Sequence, residues 1–168
     1  MNDHSTMTMF DAVTIAATAH AKAPPRADGP YIAHPLRVML RVDGDAARMA
    51  ALLHDVVEDH AEDGWTFDEL ERRGCPDRVL AALRLLTHEK PRGDKRDPEH
   101  IALVARDYAD YIERLAADPI ARAVKLADLA DNIGDGSWAE TGDAWRRAQL
   151  ARYLSARERL EQEENPVA

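Results

Sequence analysis

Apolar residues recur at three- and four-residue spacing along most of the chain, and no stretch alternates as a half-buried strand does. The pattern predicts an all-α fold of about eight helices. The first runs from Met7 to Ala23, where Pro24 and Pro25 stop it because proline lacks an amide hydrogen and clashes with the preceding turn. Pro35 opens a second helix to Val42, with His34 at its entrance. A third starts after Asp43 and Gly44 and continues through Val57, with apolar residues on nearly every face, as expected of a helix at the centre of a fold. Thr66 and Glu69 have the spacing of a capping box, and Gly74 ends that helix. Further helices cover Pro76 to Leu86, Asp97 to Ala117 and Asp118 to Ile133, the last two started by Asp-Pro pairs. An amphipathic helix from Asp143 to Glu163 closes the chain, and the tail from Asn165 to Ala168 frays. With no repeat and no low-complexity linker, residues 1–168 read as one domain.

His54 and Asp55 interrupt the most apolar helix, where an ionisable pair without partners is costly to bury. At about 100° per residue, His54, Asp55, Glu58 and Asp59 fall within an arc of about 140°. The helix from Ile120 to Ile133 carries a similar stripe of Lys125, Asp128, Asp131 and Asn132 within about 120°. Two readings are open. In one, Glu58 and Asp59 lie in solvent, His54 is a hydrogen-bonded core histidine and Lys125 pairs with Asp128 on the surface. In the other the stripes face each other, Asp128 joins His54 and Asp55, and a divalent cation offsets the desolvation of the carboxylates. His34 is then a fourth ligand.

Composition narrows the field of partners. The chain carries 22 Lys and Arg against 31 Asp and Glu, a net charge of −9, which argues against a nucleic-acid or membrane surface. No apolar run exceeds the length of Met49 to Leu53, far too short to span a bilayer, and no signal-peptide pattern follows Asn2, Asp3 and His4, so the expected location is the cytoplasm. Cys75 stands alone, which leaves His, Asp and Glu to hold any metal. His4, His60, His88 and His100 are assigned to the surface, His20 to packing or contact with the site, and Trp65, Trp138 and Trp145 to packing. The final helix, with Trp145, Leu150, Tyr153, Leu154 and Leu160, can pack internally or against a copy of itself, so a homo-oligomer is possible.

Three ordered blocks carry a family resemblance: Ala19-His20 ahead of Gly-Pro-Tyr-Ile-Ala-His-Pro-Leu at 29–36, Ala-Leu-Leu-His-Asp-Val-Val-Glu-Asp at 51–59, and Val-Lys-Leu-Ala-Asp at 124–128 with Asn132. The chain resembles the HD-domain metal-dependent phosphohydrolases, and among them the hydrolase module of the RelA/SpoT proteins and the small alarmone hydrolases. The resemblance implies an HD-type helical bundle, metal ligation by His34, His54, Asp55 and Asp128, and Glu58 and Asp59 as an acid/base pair. Two imidazoles and two carboxylates suit manganese. Glu58, one turn from His54, then orients or deprotonates the attacking water, and Asp59 handles the leaving group.

The implied substrate is guanosine tetra- or pentaphosphate, hydrolysed at its 3′-diphosphate to GDP or GTP and pyrophosphate. Length leaves no room for a synthetase half. The loop from Lys90 to Arg96 concentrates four cations against Asp94, and Lys22, Arg26, Tyr31, Lys125 and Asn132 join Lys90 as substrate-binding candidates. The family's His-x-Gly-Gln-x-Arg segment is replaced by His20-Ala-Lys-Ala-Pro-Pro-Arg26, whose prolines impose a different backbone. Another nucleotide substrate, namely a nucleoside monophosphate, an adenosine alarmone or a phosphorylated dinucleotide, is the alternative, as is a catalytically silent nucleotide-binding module.

Overall fold

The first helix, α1 (Met9–Ala19), begins in a reciprocal cap: the Thr8 hydroxyl accepts from the Asp11 amide at 3.2 Å and the Asp11 carboxylate accepts from the Thr8 amide at 2.8 Å. The computed structural model describes residues 6–26, 28–134 and 143–162. α1 stops short of the predicted Ala23 because His20–Lys22 tighten into a 3₁₀ turn, and Ala23, held extended ahead of Pro24, cannot continue a helix. The remaining helices are α2 (Ala33–Leu40), α3 (Asp45–Leu53), α4 (Val56–His60), α5 (Phe67–Arg72), α6 (Asp77–Leu86), α7 (Pro98–Ala116), α8 (Pro119–Gly134) and α9 (Ala144–Gln162). The described residues contain no strand, so the fold is all-α.

The Asp-Pro starts act as expected. Asp97 accepts from the Glu99 amide at 3.0 Å, and Asp118 accepts from the amides of Ile120 and Ala121 at 3.0 and 2.7 Å. The capping box at Thr66 is only half formed: its hydroxyl accepts from the Glu69 amide at 3.2 Å, but the Glu69 carboxylate turns to Arg72 and Arg73.

α3 is the central helix, packed against α1, α2, α6 and α8, and Ala50 through Leu53 have no exposed surface. Leu52→Ala in this surround costs about 2–5 kcal/mol, the usual range for a buried leucine. The predicted third helix is in fact two, broken at His54 and Asp55. His54 Nδ1 donates to the Ala51 carbonyl at 2.7 Å, competing for the acceptor that the next turn needs. The ladder resumes when the Asp59 amide donates to the Asp55 carbonyl at 3.0 Å. The break sits at the end of the greasiest stretch, with α8 packed across it.

α9 packs on α7 and α8 and buries Ala156 and Leu160, so it has an internal partner, while Leu154 remains partly exposed. His4, Trp138 and the Asn165–Ala168 tail lie outside the described residues.

Candidate metal centre

Four side chains from α2, the α3–α4 junction and α8 converge. His34 Nε2 lies 3.2 Å from Asp128 Oδ1 and 3.7 Å from Asp55 Oδ2, and His54 Nε2 lies 3.3 Å from Asp55 Oδ2 and 3.8 Å from Asp128 Oδ1. His34, His54 and Asp128 are all buried and each offers a ligand atom within 4.8 Å of the others. Each ring is fixed from behind. His54 Nδ1 is held by the Ala51 carbonyl, and His34 Nδ1 by Asp131 Oδ2 at 2.8 Å, so both Nε2 atoms face the carboxylates. His54 Nε2 is buried without a hydrogen-bond partner among the described residues. An orphaned imidazole nitrogen beside two carboxylates is a donor set that fits a divalent ion.

Charge is concentrated here with little water to screen it. Burial opposes a charge on His54, but Asp55 and Asp128 outweigh it and raise the imidazole to about 9. Burial also opposes ionisation of Asp128, yet Lys125 Nζ at 2.8 Å and the two imidazoles hold its carboxyl well below the usual range. Asp55 is likewise held low, against its own burial, chiefly by His54. The Tyr31 hydroxyl donates to Asp55 Oδ2 at 2.6 Å, and burial followed by the Asp55 charge raises that phenol well above its ordinary range, keeping it a donor. Loss of hydration, then the charges of Asp55 and Glu58, raises the Asp59 carboxyl.

The HD domain family profile matches residues 2–134, most of the chain and every residue of this cluster. The chain belongs to the HD domain family. Its members are metal-dependent phosphohydrolases that bind divalent ions, which agrees with the donor set described above. A search of curated proteins finds no significant match. No helix among the described residues is long and apolar enough to cross a membrane.

Behind His34, this HD domain carries a layer that sequence reasoning missed. Asp131 accepts from Arg37 at 2.7 and 2.9 Å and from Arg41 at 2.6 Å while holding His34, and these partners depress its carboxyl despite burial. Arg37 also pairs with Asp28 at 2.8 Å. The signal was present: His34, Arg37 and Arg41 share one face of α2, and Asp131 lies in the polar stripe of α8.

The cluster floors a cavity of about 370 Å³. Arg26, Tyr31, Glu58, Asp59, Lys90, Lys125 and Asn132 all line it. Glu58 accepts from Lys90 Nζ at 2.5 Å and from the His88 amide at 3.0 Å, which fixes it at the rim. Asn132 bridges Arg26 and Asp128, accepting from the first at 2.8 Å and donating to the second at 2.5 Å. Lys22 does not reach this cavity and lines a neighbouring cleft beside His60 and Trp65. Of the other cations in the predicted basic loop, Lys95 lies over Trp145 at 5.5 Å and Arg96 pairs with Asp94 at 3.6 Å.

Three histidines correct the surface assignment. His88 is buried, stacked on Tyr111 at 4.4 Å with Nε2 2.7 Å from Asp107. His100 is buried against Trp145, with Gly93 so close that a Cβ there would fall 2.4 Å from its Nδ1. His60 is half-buried, bonded to His20 at 2.9 Å and to Asp63 at 3.2 Å. Each is amphipathic, and local sequence does not reveal the aromatic or acidic partner that makes its burial tolerable. His20 is a buttress: it is buried, its ring lies tilted against that of Tyr31 at 4.6 Å, and burial holds it down to about 4, hence neutral.

Proposed function

We propose that this HD-domain protein is a manganese-dependent phosphohydrolase that removes the 3′-diphosphate of guanosine tetra- or pentaphosphate, leaving GDP or GTP and pyrophosphate. The observation that carries the reading is that residues from all three motif blocks, His34, His54, Asp55, Glu58, Asp59 and Asp128, line one cavity together with the cations Arg26, Lys90 and Lys125.

In this reading His34, His54, Asp55 and Asp128 hold the ion, which supplies Lewis acidity toward a phosphoryl oxygen and toward water. Lys90 and the His88 amide aim Glu58, which takes a proton from the attacking water as its oxygen bonds to phosphorus. The bond between phosphorus and the ribose 3′-oxygen breaks. Asp59, with its carboxyl raised by burial and then by the charges of Asp55 and Glu58, donates a proton to that oxygen as it leaves. Lys125 and Asn132 hold Asp128, and Tyr31 holds Asp55, so the ligands keep their orientation through the cycle.

A second reading draws on charge. The cavity wall sets Arg26, Lys90, Lys125 and Arg146 against Asp55, Glu58, Asp59 and Asp128, so one divalent ion leaves a net charge of +2, or +3 when Asp59 holds the proton it donates. That balances a phosphomonoester, as in a nucleoside monophosphate, better than a tetraphosphate. Pyrophosphate release from guanosine tetraphosphate by the manganese-loaded protein, set beside phosphate release from GMP and AMP, separates the two. Asp55→Ala is expected to lose the metal, and Glu58→Ala to keep it and lose turnover. Absence of product from the tetraphosphate with any divalent ion rejects the first reading.

A further inference from the structure

The family match ends at Gly134, but the cavity wall does not. Helix α9, which lies wholly beyond the match, contributes Arg146, Gln149 and Tyr153 to it. The Gln149 side-chain amide donates to the Tyr153 hydroxyl at 3.0 Å. The ring of Tyr153 lies 6.0 Å from that of Tyr108 on α7, which lies 5.6 Å from Tyr111. Tyr108 lines the cavity and is only 7 % exposed; the Lys125 ammonium acts on its hydroxyl, yet no hydrogen bond within 3.5 Å closes on it among the described residues. A buried hydroxyl left unmatched on a cavity wall is a place for a ligand's polar group.

Lys125 joins this wall to the metal-binding end. Its Nζ lies 2.8 Å from Asp128 and 5.4 and 5.7 Å from the ring centres of Tyr111 and Tyr108. One cavity therefore has a charged end, with the imidazoles and carboxylates, and an aromatic end that carries an amide and an unmatched hydroxyl. Inorganic pyrophosphate or a sugar phosphate uses only the first. A phosphate attached to a flat heterocycle with donors and acceptors on its edge uses both.

We infer that Tyr108, Gln149 and Tyr153 form the subsite that recognises the nucleobase, so that a helix outside the family module sets which nucleotide this protein takes. Tyr108 and Tyr153 supply aromatic surface and hydroxyls, and Gln149 an amide that distinguishes one base edge from another. The inference rests on the proposed nucleotide phosphohydrolase reading and is tested separately from it.

The metal-loaded full chain and its Gln149→Ala, Gln149→Glu, Tyr108→Phe and Tyr153→Phe variants are assayed on guanosine tetraphosphate, GMP and AMP, with ribose 5-phosphate and inorganic pyrophosphate as base-free probes. Equilibrium binding of the same nucleotides and of Mn²⁺ is measured alongside. The Gln149 variants are expected to shift the guanine-to-adenine ratio of kcat/KM by about tenfold through KM, the scale of one hydrogen-bonded contact. Metal affinity and turnover of base-free probes stay unchanged, which also shows that each variant is folded. An unchanged base ratio in all four variants overturns the subsite while leaving the hydrolase reading intact, as does an equal loss on base-free probes. If the wild type hydrolyses no nucleotide but binds one in a Gln149-dependent manner, the hydrolase reading fails and the subsite stands. If it binds none, both fall.

Discussion

At the His34 end of the cavity every donor is fixed from behind: Asp131 and its two arginines hold His34, the Ala51 carbonyl holds His54, and Lys125 and Asn132 hold Asp128. At the Glu58 end the carboxylate is held by a backbone amide and by Lys90, a lysine whose side chain is 67 % exposed. The first arrangement resists thermal motion because the held groups, His34, His54, Asp128 and Asp131, are themselves buried and several partners converge on them; the second yields to an incoming anion, since an exposed lysine exchanges partners at little cost. The contrast teaches that one cavity has a firmly buttressed end at the candidate metal ligands and a lightly held rim at Glu58.

The largest effect that sharpens this contrast is at Glu58. Glu58→Ala is expected to lower turnover by about a hundred- to ten-thousand-fold, the range for a general base, with metal content unchanged by elemental analysis. A variant that loses its metal instead places Glu58 in the rigid end and breaks the comparison.

A second effect follows from protonation. Without an ion the His54 imidazole is raised to about 9, so it carries a proton at neutral pH that must leave before the nitrogen can bind metal. Affinity for Mn²⁺ is expected to rise with pH, about tenfold per unit, and to level off above that pKa, with proton release visible by calorimetry in buffers of different ionisation heat. A flat profile between pH 6 and pH 8, roughly the span where histidines titrate, shows that no proton leaves His54 on metal binding there and overturns its raised pKa.

Asp131 gives the next step down. Asp131→Asn keeps the size but weakens the grip on His34 and removes the carboxylate charge that faces Arg37 and Arg41, and metal affinity is expected to drop by about ten- to a hundred-fold. Unaltered affinity in this variant means that the layer behind His34 serves folding alone. The smallest effect belongs to the soft rim: Lys90→Ala is expected to raise KM by roughly three- to tenfold, with metal affinity intact and a steeper loss at high salt in the wild type than in the variant.

The legibility of these features in the sequence differs for physical reasons. His54, Asp55 and Asp128 were visible because ionisable groups in apolar helices need partners, and that need is written in the chain itself. Asp131 sat in the same stripe as Asp128 but its partner, Arg37, is on another helix, so nothing local separated a ligand anchor from a surface charge. Lys22 follows His20 in sequence, but the 3₁₀ turn there carries it into the neighbouring cleft. His88 and His100 were misplaced because their burial depends on residues distant in sequence: Tyr111 and Asp107 of α7 for His88, and Trp145 of α9 for His100.

The chain by itself determined the all-α class, the positions of most helix starts and the central place of α3, because apolar spacing, prolines and Asp-Pro caps act through the nearest turn. It also determined which side chains had to find company inside the fold. Only the tertiary structure decided the break at His54, where a side chain competes with the backbone for one carbonyl, and the anchoring of His34 by Asp131. It alone brought α9 to the cavity, because contacts between distant helices depend on how whole faces pack, and no short stretch of sequence encodes that.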